Sequence, residues 1–327
     1  MDVARGAAIV AVPMSSPVAR SVASIPLRRL GEPLRVAFVG PRVWLDGCAP
    51  SEATHGMRSA RFGVSGSADA ERELAAVADF GPHVTVIFDP ASLPATALTR
   101  LPGVSLGVLV AATPDEGTLG LDALDRIVSF KPSSTGAQLG GGEVWRAIPP
   151  PVSDALYADV RPLHHAPRVI SIGRSSTHRE EMLMPAKHHH DLVQVIHGVS
   201  GAPLRELLEE CDVGVFVDAE SGGGFGQQVG VHLAAGHLLL AEQLTPAHGL
   251  ERDIDYLHID SPDGLVWVLD RLHRFPEMYQ RVRHRGRLKA EQYRASRVFD
   301  RVVHDLLADV ATFGSPPRLG TSPHSRA

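Results

Sequence analysis

Cysteine is scarce in this chain of 327 residues. Cys48 and Cys211 are the only two, and neither belongs to a CxxC pair. No metal or redox motif is built from them, and the expectation is a cytoplasmic protein in a reducing compartment. A basic excess is missing too. The formal net charge of -5 argues against a general nucleic-acid binder. No apolar run is long enough to cross a bilayer. Residues 7–14, AAIVAVPM, are apolar but short, and read as part of an unstructured leader before a secretory signal. Aromatic residues make up only 5%. Some motifs are absent as well. No GxGxxG follows the first apolar run, which disfavours a classical dinucleotide enzyme. No Walker A sequence and no GxSxG nucleophile elbow occur.

Short apolar runs are plentiful, and they alternate with helical spacing. LRVAFVG (34–40), HVTVIFDP (83–90), VSLGVLVA (104–111) and LDRIVSF (124–130) read as strands of one mostly parallel unit. The helix between the first two is ADAERELAAVADF, 68–80. Residues 41–63 read as a long loop, and residues 149–167, with five prolines, as a linker. RVISIG (168–173) opens a second unit, with LVQVI (192–196) as a strand and 202–212 as an amphipathic helix. DIDYLHI (253–259) reads as a further strand, 261–276 as a helix capped by Ser261, and 277–310 as one long basic helix. The expected organisation is a disordered leader (1–33), two Rossmann-like domains (34–160 and 161–312) and a disordered tail (313–327).

The second unit turns on CDVGVFVDAESGGGFGQQVGVHLAAGHLLLAE, 211–242. A buried-looking strand over 213–217 is followed by Glu220, then a glycine turn ending in Gly224, Phe225 and Gly226, then a helix that Gly236 would cap. In a parallel sheet that turn lies at the carboxyl edge, where ligands bind. Free N–H groups at a helix start favour an anion, often a phosphate. The bland alternative is a plain strand-to-helix connection. A second loop in this unit, Gly173 to Arg179, carries two arginines with hydroxyls between them, the chemistry of a diphosphate clamp or of a solvated basic loop. His188 to His190 and His164-His165 read as surface turns, since adjacent histidines do not converge on one metal. His55, in the long loop, is placed to act as a general base, or is an ordinary exposed histidine.

The chain resembles the group 1 glycosyltransferases of the GT-B fold, in the subgroup related to spore-coat maturation proteins. The resemblance rests on VISIGRSSTHRE (169–180), APLRELLEECDVGVFVDAE (202–220), GFGQQVGVHLAAGHLLLAEQ (224–243) and HGLERDIDY (248–256). VAFVG, FGPHVTVIFDP and LDRIVSF extend it more loosely over the first half. It implies an α/β protein of two Rossmann-like domains facing across a cleft, with the last helix crossing back to the first. The second domain would hold a nucleotide-sugar, the co-substrate, and the first would receive an unknown acceptor. No metal or cofactor is expected, because protein cations and helix N-termini take the leaving-group charge.

By position, the resemblance implies Arg174 and Arg179 on the diphosphate and Gly224-Phe225-Gly226 against the donor. His178 and Gln227 are counted with the donor-binding set, Glu220 and Gln228 with the sugar or ribose hydroxyls, and His55 with deprotonation of the acceptor. One departure concerns the family's two glutamates, eight positions apart. Counting from Glu220 lands on Gln228, and counting back from Ala234-Ala235-Gly236 lands on Val231 with Gly223, so the second acid is missing in either register. The rival readings are a non-catalytic relative that serves as a binding or scaffold protein and, more weakly, a sugar-nucleotide epimerase.

Overall fold

The computed structural model describes residues 31–51, 56–64, 67–110, 121–131, 138–139, 142–164, 166–196, 198–220 and 224–314. Almost all of the expected leader and tail lies outside them, and so does His55.

The first unit runs β1 (Leu34–Gly40), α1 (Arg42–Cys48), β2 (Met57–Gly63), α2 (Ser67–Phe80), β3 (Val84–Phe88), α3 (Ala95–Leu98), β4 (Val104–Leu109), β5 (Arg126–Ser129), β6 (Gln138–Leu139) and β7 (Gly142–Ala147). These strands form a seven-stranded sheet in the order β2-β1-β3-β4-β5-β7-β6. All its pairings are parallel except β6 with β7. Side chains alternate across a strand, so β1 serves two cores. Val36 and Phe38 point into one cluster, Ala37 and Val39 into the other. Burial on both faces is why this strand reads as an unbroken apolar run.

The second unit runs β8 (Val169–Ile172), α4 (Thr177–His189), β9 (Leu192–Val195), α5 (Gly201–Glu209), β10 (Val213–Phe216), α6 (Gln227–Ala234), β11 (Leu238–Ala241), β12 (Leu257–His258), α7 (Pro262–Arg274), α8 (Gln280–Ala290) and α9 (Ala295–Phe313). Its five strands, in the order β12-β11-β10-β8-β9, are all parallel. The carboxyl ends of β8, β10 and β11 therefore open on one edge, which carries Gly173, Asp218 and Glu242.

Five expectations need correction. Residues 41–63 are not a loop. They form α1, which buries Leu45 and Cys48 in the first core, and the edge strand β2. DIDYLHI forms a strand only at Leu257–His258, because its start is a turn: Asp253 has φ 60°, and the Asp255 carboxylate accepts the Glu251 N–H at 3.0 Å. The histidines 188–190 close α4 as its last turn and C-cap, and His190 lies 3.3 Å from Asp270. The basic helix is broken at Glu291–Tyr293, a single 3-10 turn, and at the extended Arg294. There the chain leaves the second unit and pairs with the proline-rich crossing from the first. The Val152 N–H donates to the Tyr293 carbonyl and the Ala295 N–H to the Val152 carbonyl, both at 2.8 Å. That pairing buries Val152, Ser153, Asp154 and Leu156, so the expected linker is packed rather than exposed along its first half.

Beyond the break, α9 returns to the first sheet. Val298, Phe299, Val302, Val303 and Leu306 recur at helical spacing and enter its core. The Phe299 ring meets Phe38 edge-on at 5.0 Å and Phe88 at 5.8 Å. Among the described residues, no helix is long and apolar enough to cross a membrane.

Ser261 does cap α7, accepting the Gly264 N–H at 3.1 Å. Leu265, Val268, Leu269 and Leu272 make this helix's buried face. Ser261→Ala is expected to cost about 1 kcal/mol of stability, and Ser261→Asp to restore it. Urea unfolding of both variants checks this, and equal midpoints for Ser261→Ala and the parent would show the cap to be idle.

Candidate functional site in the cleft between the sheets

β10 ends at Phe216, and the chain must turn sharply into α6. At Gly226 a Cβ would lie 2.4 Å from Gln228 Oε1 and 2.8 Å from the Phe216 ring. At Gly224 it would lie 2.3 Å from Asp218 Oδ2. A side chain at either position would have to displace one of these neighbours. Gly226 is the N-cap of α6 and offers no side chain to the helix's first N–H groups, which face the cleft with the positive end of the helix dipole. The rest of the glycine run, Gly222 and Gly223, lies outside the described residues.

The second loop follows β8. Gly173 has φ 146°, and a Cβ there would lie 2.5 Å from Arg179 Nη1. The Ser176 hydroxyl caps α4 by accepting the Arg179 N–H at 3.3 Å. The two arginines have different fates. The Arg179 side chain is buried, donating Nε to the Val217 carbonyl at 2.8 Å and Nη1 to the Arg174 carbonyl at 2.7 Å. Burial lowers its pKa, against the pull of Asp218 and Glu242. Expected on a diphosphate, Arg179 is instead a strut between the ends of β8 and β10. Arg174 is exposed, and its guanidinium has no partner among the described residues. Its loop is therefore held from below while the cation stays free.

Two adjoining cavities open at this edge. One, of about 510 Å³, is lined by Trp44, Phe130 and Lys131 of the first unit and by Asp218, Gly226, Gln228 and Thr245 of the second. The other, of about 260 Å³, has apolar walls from Ile172, Val195, Leu204 and Val231, with Arg174 also lining it. Trp44, Gln227 and Gln228 line both. A flat, uncharged ring suits the smaller cavity. An anion suits the junction, between Arg174 and the start of α6.

The expected site residues divide. Arg174, Gly224, Phe225, Gly226, Gln227 and Gln228 all line these cavities. The Gln227 amide, however, reaches across the cleft and donates to Cys48 Sγ at 3.0 Å. Burial raises the Cys48 thiol's pKa far above its ordinary range, so it stays protonated. Phe225 packs against His248 and Tyr293, at 4.7 and 5.5 Å between ring centres. His178 stands behind the site, its Nε2 2.7 Å from Glu242 Oε1. Glu220 is exposed and lines neither cavity.

Sequence reasoning missed Trp44, Phe130, Lys131 and Asp218. Asp218 and Lys131 had a usable signal, since each closely follows a buried strand of a parallel sheet. Trp44 had none, because its helix was read as loop.

No family model matches this chain, and no curated protein matches it. Solved structures do. The architecture, α/β with two Rossmann-like units facing across a cleft, is the GT-B fold. Anabaena Alr3699/HepE, solved in complex with UDP-glucose, superposes with a TM-score of 0.52 at 9% identity, over 84% of this chain and 100% of that one. A glycosyltransferase from Rickettsia africae ESF-5 superposes with a TM-score of 0.53 at 9% identity, over 84% of this chain and 98% of that one.

Proposed function

We propose that this chain is a glycosyltransferase that moves a sugar from a nucleotide-sugar to an acceptor. The observation that carries the reading is the pair of adjoining cavities, which share Gln227 and Gln228 at the uncapped start of α6, with Arg174, whose guanidinium has no partner among the described residues, on the wall of the smaller one. A diphosphate seated there places its nucleoside in the smaller, apolar cavity and its sugar in the larger one. The sugar–oxygen bond to the diphosphate breaks, a bond from the acceptor oxygen to the same carbon forms, and the acceptor's proton passes to a base. Negative charge grows on the departing diphosphate, and Arg174 and the α6 N–H groups stabilise it without a metal. His55, expected as the base, lies outside the described residues.

Trp44 and Phe130 offer aromatic surface to the acceptor. Gln228, at the neck of both cavities, is a donor and acceptor for ribose or sugar hydroxyls. The motif likeness to the spore-coat-related subgroup and a cytoplasmic setting belong to this proposal. HepE was solved with UDP-glucose, so uridine donors are the first to try.

The test is a thermal-shift screen of UDP, GDP, ADP and dTDP with their sugar forms. A ligand at a hundredfold over its Kd adds about 2.7 kcal/mol of stability, which raises Tm by several degrees. No shift with any member of the set would overturn the reading in favour of a scaffold that has lost its donor site.

A further inference from the structure

We propose that Asp218 recognises the sugar of the donor, with Glu242 and His178 as the residues that position it; this deepens the glycosyltransferase reading above and rests on it. Asp218 follows β10 directly and lines the larger cavity beside Gly226 and Gln228. Among the described residues lining the two cavities it is the only carboxylate. One of its oxygens is engaged locally, Oδ1 accepting the Ala219 N–H at 2.7 Å. The other, Oδ2, accepts no hydrogen bond among the described residues, and it lies where a Cβ on Gly224 would collide with it. Only glycine at 224 leaves that oxygen its room.

The backbone at this point is pinned from behind. The Asp218 N–H donates to Glu242 Oε2 at 3.1 Å, and Glu242 Oε1 lies 2.7 Å from His178 Nε2. His178 sits in the first turn of α4, three elements before β10 in the chain, so the pair ties the end of β10 to the end of β11 and to α4. A carboxylate held this way is pre-organised, and its rotation is not lost again on binding.

The chemistry decides what it meets. An ionised carboxylate only accepts hydrogen bonds, so it repels a diphosphate and welcomes hydroxyl donors. Arg174, on the smaller cavity, and the start of α6 supply the anion site. Asp218 stands on the larger cavity, past that helix start, where the sugar would project. Two neighbouring ring hydroxyls can reach one carboxylate. Among the described residues the smaller cavity, walled by Val231 and its apolar neighbours, has no carboxylate, and the larger one has Asp218.

The experiment measures binding of UDP, UDP-glucose, GDP and GDP-mannose by calorimetry, and release of the nucleoside diphosphate from the sugar forms. The parent is expected to bind one sugar nucleotide more tightly than its bare diphosphate. Asp218→Asn should keep the diphosphate affinity within about twofold, lose the added affinity for the sugar form, and release diphosphate at least tenfold more slowly. Glu242→Gln should lower the same preference in part, since the amide still accepts the Asp218 N–H but binds His178 less firmly. A preference unchanged in Asp218→Asn overturns the proposal and leaves the glycosyltransferase reading standing. Loss of diphosphate binding in a folded Asp218→Asn also overturns it, because the residue would then support the fold of the turn. A parent that binds none of these four, nor any ADP or dTDP form, overturns both.

Discussion

Arg174→Ala is expected to slow sugar transfer about a hundredfold in a protein that still folds, a loss on the order of 3 kcal/mol of transition-state stabilisation. The charge on the departing diphosphate is larger at the transition state than in the bound donor. A cation aimed at it therefore acts more on turnover than on binding. The surroundings make a folding defect a poor rival explanation. The side chain is exposed and has no partner among the described residues, whereas its carbonyl and loop are held by Arg179, which the variant keeps. A surface arginine with no role would change stability by only about 0.5 kcal/mol. Arg174→Lys, which keeps the charge and loses the planar fork, should fall between parent and alanine. Circular dichroism and Tm establish folding, and kcat with the donor from the thermal-shift screen is the readout. Parent-like turnover in Arg174→Ala would remove the residue from the site.

The second large effect is on stability against pH. His232 and His237 are both fully buried, their Nδ1 atoms 3.2 Å apart. His237 Nε2 donates to the Leu208 carbonyl at 2.8 Å, so its Nδ1 is the acceptor and His232 Nδ1–H the donor. His232 Nε2 is then a bare acceptor, buried without a partner. Burial drives both pKa values down, His237 to about 4. For His232 the neighbouring ring adds to the fall, and for His237 Arg283 does the same, while the Leu208 carbonyl and Asp212 oppose it.

The unfolded chain takes up protons near pH 6.5, but the folded pair stays neutral until far lower. Stability is therefore full above about pH 6.5 and falls as pH drops, by about 1.4 kcal/mol per unit for each histidine. His237 alone accounts for on the order of 3 kcal/mol by pH 4. Burial lowers His190 and His248 too, in the same direction. Glu180 and Glu291 are held down to about 2 by their hydrogen bonds, chiefly from Lys187 and from Arg294 respectively. Their stabilising contribution is lost only below about pH 4.5, beneath the range over which the histidine effect is measured. Urea midpoints should hold between pH 7.5 and about 6.5 and fall from there to about pH 4.5, and His237→Gln, which retains a donor for Leu208, should flatten the slope. Equal midpoints at pH 7.5 and pH 5 would mean that neither ring is kept from its proton.

The parts of this fold that were legible from sequence are those whose environment is uniform. VTVIF and VGVF are buried on both faces, so apolar content alone marks them as strands. β2 is different: MRSARFG lies at a sheet edge, half exposed and carrying Arg58 and Arg61, and it looks like loop. α1 has seven residues, one of them glycine, and no capping side chain, so nothing local announces a helix. It forms because Leu45 and Cys48 find a core already built. The site follows the same rule. Arg174 and the glycine turn were legible because strand ends of a parallel sheet say where ligands go. Trp44 and Phe130 join them only through the docking of one sheet against the other, a long-range event that no short window of sequence contains. Arg179 and Arg174 were indistinguishable as letters. The room that Gly173 leaves for a guanidinium, and the Val217 carbonyl just past β10, separate them.

The crossing-back of α9 has a consequence for synthesis. The chain emerges from the ribosome with the seven strands first, yet the face that holds Phe38 and Phe88 stays uncovered until Phe299 appears near the end. The five-stranded sheet and its helices are complete before that. The later-made unit is therefore able to close first, and the earlier-made one must wait with an oily face open to whatever chaperone or neighbour is at hand. A chain ending before Ala295 should expose that face, bind a hydrophobic dye and aggregate. Adding the 295–314 peptide in trans should quench the dye signal, and no quenching would show that the first sheet is sealed without its last helix.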